Sequence, residues 1–121
     1  MTPAQLLDEA RRLLDGSPPG TISGWSRASA FLARQALEET LRHLWQAKAP
    51  GVEETSMRAQ LACLPTYLAA DGLASDVSFA WHALSRATHH HPYELDPTRE
   101  ELESLLAMTE RLIDAVTTGR G

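Results

Sequence analysis

The sequence predicts an all-α fold, an up-and-down bundle of four to five helices in a single domain over residues 1–121. Three observations carry this expectation. Apolar residues recur at three- and four-residue spacing in every long segment, the signature of a helix with one buried face. No stretch alternates apolar and polar residues with β-branched enrichment, as a half-buried strand would. Glycine and proline clusters, GSPPG at 16–20, Pro50-Gly51 and Asp71-Gly72, divide the chain into helix-length pieces joined by short connections.

The first helix is expected to open at Thr2-Pro3, because Gln5 completes a capping box and proline suits the first turn. Leu6, Leu7, Ala10, Leu13 and Leu14 continue it and Gly16 ends it. The longest helical pattern runs from Ile22 to about Lys48, with Trp25, Ala28, Leu32, Ala36, Leu44 and Trp45 as its apolar stripe. A third helix from about Ser56 carries Met57, Leu61, Leu64 and Leu68, and Pro65 is expected to kink it or begin a new one. The fourth starts near Ser75, shows Val77, Trp81, Leu84 and Thr88 on one face, and ends at His91, since a residue before proline is pushed out of the helical region. The fifth opens at Asp96-Pro97 or at Thr98-Arg99-Glu100-Glu101 and runs on Leu102, Leu105, Met108 or Thr109, Leu112 and Val116. Core packing is the expected role of nearly all these apolar residues, the three tryptophans included.

Composition narrows the function classes. Hydrophobic residues make up 43% and charged residues 22%, an ordinary globular balance. With 11 basic and 16 acidic residues the formal charge is -5, so no global positive field is present to hold nucleic acid, and any such contact must be local. The single Cys63, in the apolar string LACL, excludes an internal disulfide and reads as a buried thiol. The N-terminal stretch mixes acids with leucines, unlike a secretory signal, and no apolar run approaches the roughly 20 residues of a membrane span. A cytoplasmic protein without membrane contact is expected.

The chemistry concentrates in SRATHHHPYELDPT, residues 85–98. Neutral imidazoles bind zinc or nickel, but adjacent helical residues point about 100° apart, so His89, His90 and His91 cannot all face one ion on a continuing helix. No metal and no cofactor is expected. Alternatively, Arg86 with a histidine is a minimal kit for phosphodiester cleavage, a guanidinium for charge at phosphorus and an imidazole for protons near neutral pH. On an unbroken helix His90 lies about 40° from Arg86 and His91 about 140°. The third reading is that these positive side chains cap a helix C-terminus.

As a pattern, Arg86, four residues, His91, one residue, Tyr93 resembles the RX4HXY motif of HEPN domains, an all-helical family common in bacterial toxin-antitoxin and antiviral systems. The segment from Ser29 to Leu41, with its Gln35-Ala36 pair and Glu38, resembles the HEPN helix that precedes the motif by about 50 residues. The resemblance implies a metal-independent endoribonuclease that forms a homodimer so that two motifs share one cleft. It implies Arg86 as phosphate stabiliser, His91 as proton carrier, and Tyr93 as site support or the target of adenylylation by a nucleotidyltransferase-type antitoxin. His90, His89, Glu38 and Gln35 are secondary candidates, and RNA is the implied substrate. The chain departs from the family pattern at Ala87, where active members often carry a polar residue, and at Pro92. Those departures and the acidic charge motivate an alternative, a non-catalytic HEPN-like protein-interaction or regulatory module.

Overall fold

The structure is a computed structural model that describes residues 1–16, 24–89 and 96–119. Five α-helices appear in order: α1 (Pro3–Gly16), α2 (Gly24–Lys48), α3 (Met57–Tyr67), α4 (Leu73–Thr88) and α5 (Arg99–Thr118), with one 3-10 turn at Val52–Glu54. No strand occurs among the described residues. α2 packs on α1, α4 and α5, while α5 also packs on α1 and α4, so four helices form a closed ring with α2 and α5 in contact across it. α3 lies outside the ring against α4.

Local chemistry sets the helix ends. At α1 the Thr2 N–H donates to Gln5 Oε1 (2.8 Å) and the Gln5 N–H donates to Thr2 Oγ1 (3.1 Å), the reciprocal cap its sequence predicts. α5 begins the same way, with Thr98 Oγ1 accepting from the Glu101 N–H (3.0 Å) and the Thr98 N–H donating to Glu101 Oε1 (3.1 Å). The Thr98 start is therefore the one used, not Asp96-Pro97. α4 starts at Leu73, two residues before the expected Ser75, behind Gly72 in the left-handed region at φ 76°. α5 ends at Gly119, also left-handed at φ 74°.

Ion pairs fix helix direction. Arg11 on α1 pairs with Glu110, and Asp15, one turn later, pairs with Arg99, so the order on α5 is reversed and the two helices are antiparallel. Arg111 pairs with Asp76, while the far end of α4 lies beside the start of α5, so this pair is antiparallel too. The end of α1, the end of α4 and the start of α5 therefore meet at one end of the bundle.

The core runs along α2 and α5: Leu37, Leu41, Trp45, Leu102, Leu106 and Leu112 are all but inaccessible, together with Leu64, Val77 and Leu84 from the other helices. Each such leucine contributes about 2 kcal/mol by leaving water. One polar cluster is built into it. Trp45 Nε1 donates to Gln60 Oε1 (3.0 Å), and Gln60 Nε2 donates to the carbonyls of Thr55 (3.0 Å) and Glu53 (3.3 Å). Tyr67 meets Trp45 edge-on at 5.4 Å between ring centroids. These contacts clamp the 3-10 turn and α3 onto the end of α2.

Several expectations are corrected. The expected stripe on α2 is out of phase over its first half: Trp25 is 39% exposed and Ala28 is exposed, while Ser29, Ala30 and Ala33 are buried. Small residues turn inward because α1 approaches closely there, as the 2.8 Å bond from Ser29 Oγ to the Ala10 carbonyl shows. α3 passes through Pro65 and closes two residues later, and no new helix begins at the proline. Cys63 is half-buried, not fully enclosed. α4 ends at Thr88, three residues before His91. His89 is already extended (φ -93°, ψ 136°), and the Thr88 hydroxyl donates to the Leu84 carbonyl at 2.8 Å.

Candidate functional site

The early end of α4 changes the geometry of the motif. Because His89 leaves the helical path, the angular comparison that placed His90 nearer than His91 to Arg86 no longer applies. His90, His91 and Tyr93 lie outside the described residues. Arg86 and His89 are described, both exposed, in the last turn and at the cap of α4.

These two side chains line a cleft of about 480 Å³ between the end of α4 and the start of α5. Its α4 wall is Phe79, Ala83, Arg86, Ala87 and His89. Its α5 wall holds Asp96, Pro97, Glu100, Glu101, Ser104 and Leu105. The wall compositions follow from helix periodicity: positions 79, 83 and 86 fall on one face of α4, and 100, 101, 104 and 105 on one face of α5, with Asp96 and Pro97 just ahead of that helix. Ala83, Ala87 and Leu105 give an apolar interior, while Phe79 stands 57% exposed.

The charges are segregated. Arg86 and His89 stand on one wall, and Asp96, Glu100 and Glu101 on the other. Glu101 is committed to the α5 cap, and the Thr98 backbone N–H, then the Thr98 side chain, hold its carboxyl below the usual value. The Arg86 guanidinium makes no ion pair among the described residues, whereas Arg11, Arg12, Arg42, Arg99 and Arg111 each pair with a carboxylate.

The secondary candidates on α2 stand elsewhere. Glu38 Oε2 accepts from Trp81 Nε1 at 3.4 Å, and its Oε1 lies 3.8 Å from Arg34 Nε. Trp81 is about 140° around α4 from Arg86, so Glu38 faces a different side of that helix from the cleft. Arg34 Nε and Ser85 Oγ are buried without hydrogen-bond partners among the described residues. Arg34 also lies over the Phe31 ring, 5.8 Å from its centroid. Gln35 is exposed on the same half of α2 and lines no part of the cleft. The structure thus brings Arg86 and His89 together and leaves Glu38 and Gln35 on another surface.

Among the described residues no group of three His, Cys, Asp or Glu side chains is placed to hold a metal ion. His82, farther back on α4, is turned onto its own helix, its Nδ1–H donating to the Ser78 carbonyl at 2.8 Å. No helix among the described residues is long and apolar enough to cross a membrane. Sequence reasoning missed Phe79, Glu100 and Asp96 as cleft residues. Asp96 and Glu100 follow the histidines by a few positions, a signal that needed only the antiparallel return of α5 to become spatial. Comparison with protein-family models, with curated proteins and with solved structures returned no match.

Proposed function

We propose that this chain is a metal-independent endoribonuclease of the HEPN type, a toxin or defence component. The observation that carries the reading is the Arg86 guanidinium, in no ion pair among the described residues, lining a cleft with His89 directly ahead in sequence of the remaining motif residues. The all-helical bundle supports it as context. RNA carries its own nucleophile, so the site has to move protons and stabilise charge at phosphorus. In this scheme a histidine, His91 by the motif resemblance, takes the proton of the 2'-hydroxyl as that oxygen attacks phosphorus. The bond to the 5'-oxygen breaks, the imidazolium so formed gives its proton to that oxygen, and a 2',3'-cyclic phosphate remains. Arg86 neutralises the equatorial oxygens meanwhile. A homodimer would place two such motifs in one cleft, and adenylylation of Tyr93 by a nucleotidyltransferase-type antitoxin would put bulky negative charge in the phosphate's place.

The test is cleavage of RNA in the presence of a chelator by wild type, Arg86→Ala and His91→Ala proteins. Each substitution should lower the rate at least about 100-fold, the scale of a lost acid-base or oxyanion group. His89→Ala and His90→Ala separate the neighbouring histidines from His91. Equal rates in wild type and the Arg86 and His91 variants, or no cleavage by any, would sink the reading.

A second reading has its own observation. Three carboxylates oppose one guanidinium in the cleft, and Glu38 faces away from it, an arrangement that favours a non-catalytic interaction module with a basic partner segment. It predicts a co-purifying protein released by high salt and no RNA cleavage. RNA cleavage lost in the Arg86 variant would eliminate it.

A further inference from the structure

The Asp76–Arg111 pair sets the register across the cleft. Eleven residues on along α4 and eleven back along α5 bring Ala87 and Glu100 level, with Arg86 beside Ala87. One wall therefore presents a guanidinium and the other a carboxylate at the same height, and neither side chain has an ion pair among the described residues. Glu101 stands at this height as well but is held by the Thr98 cap. A ligand of a single charge is disfavoured here, since an anion drawn to Arg86 meets Glu100 and a cation drawn to Glu100 meets Arg86. A molecule that carries both charges side by side satisfies the two walls at once and is neutral as a whole.

Away from this height the cleft turns apolar. Ala83, one turn back on α4, and Leu105, five residues on along α5, stand about 6–8 Å from the charged level, and Phe79, 57% exposed, closes the far end at about 12 Å. The alanines leave room above the buried Leu105, and the volume of about 480 Å³ falls within the range of small-molecule pockets. A benzyl side chain that starts at the charged level lies over Ala83 and Leu105 and points its far edge at the Phe79 ring, the approach that favours aromatic pairs.

From this arrangement we infer that the α4–α5 cleft binds a free α-amino acid with an aromatic side chain. Arg86 takes its carboxylate through the fork of the guanidinium, Glu100 accepts from its ammonium, and Ala83, Leu105 and Phe79 receive the ring. The inference goes beyond the ribonuclease reading and does not depend on it, because its ligand is not a nucleic acid.

The experiment is titration of the isotope-labelled full chain with L-phenylalanine at low ionic strength, followed by NMR through the amide signals of Ala83, Ala87 and Ser104. Saturation is expected with a Kd of about 2 mM, the affinity that a dozen non-hydrogen atoms give. Hydrocinnamate, which lacks the ammonium, and phenethylamine, which lacks the carboxylate, should each bind about fivefold more weakly, the scale of an exposed ion pair. Glycine, without the ring, should bind at least about tenfold more weakly. Glu100→Gln should weaken L-phenylalanine about fivefold and leave hydrocinnamate unweakened, since that probe has no ammonium to lose. Phe79→Ala should weaken L-phenylalanine about threefold, the scale of one aromatic pair. Glu103→Gln, an acid on the same helix engaged with Arg99 outside the cleft, should leave the Kd as in wild type. No saturable shift at these amides, hydrocinnamate or phenethylamine binding as tightly as L-phenylalanine, or undiminished affinity in Glu100→Gln overturns the inference. RNA cleavage is scored separately, without amino acid. Binding without cleavage keeps the site and removes the catalytic reading, and cleavage without binding does the reverse.

Discussion

Gln60 ties the Trp45 indole to the carbonyls of Glu53 and Thr55, and the Trp45 and Gln60 side chains are buried. Replacing it with alanine strands the buried indole N–H and removes two further bonds, so Gln60→Ala should cost about 2 kcal/mol in urea unfolding, more than a single lost hydrogen bond. A cost below about 1 kcal/mol would mean that water replaces the side chain. Glu101 makes a second residue-level prediction. Its folded-state pKa is depressed by the Thr98 hydrogen bonds, so the stability they confer is present above the unfolded value near 4.5 and is lost as pH falls through the folded value. Glu101→Gln keeps a capping side chain but does not titrate. Below pH 4.5 the wild type Tm should therefore fall more steeply than that of the variant; parallel curves would remove Glu101 from the acid response.

At the scale of the element, α4 separates structure from surface. Leu84 is fully buried and Phe79 largely exposed on the same helix. Leu84→Ala should cost about 3 kcal/mol, by transfer and cavity together. Phe79→Ala should change stability by less than about 0.5 kcal/mol, which chemical denaturation of both variants checks. Helix identity and caps were legible in the sequence because both are local: Thr2 with Gln5 and Thr98 with Glu101 satisfy backbone groups within a single turn. The phase of α2 was not legible, because hydrophobicity ranks Trp25 and Leu32 above Ser29 and Ala33, whereas the spacing of α1 and α2 decides which can fit between them. The end of α4 was misplaced for a related reason. The proline rule marks where a helix cannot continue, and Thr88 and His89, weak helix formers, gave way sooner. Arg86 was found from sequence as part of a local pattern. Glu100 and Phe79 were not, since they come to line one cleft only when α5 folds back along α4.

At the scale of the whole molecule, direction matters as much as contact. The Arg11 to Glu110 pair lies eight residues from the start of α1 at Pro3 and eight from the end of α5 at Thr118, so those two helix ends stand level with each other, about 12 Å beyond it. The Asp15 to Arg99 pair puts the opposite ends of the same helices beside the cleft. Both ends of the described chain are thus neighbours, separated from Arg86 by about 20 Å, the length of α1. A fluorescent domain fused at Met1 or at Gly121 should leave the RNA-cleavage rate within about twofold of the untagged chain, since a change of that size is only a few tenths of a kcal/mol. A tether there is held at the opposite pole from the ligand, so the scaffold can carry cargo at one pole while the other stays open to whatever the cleft receives.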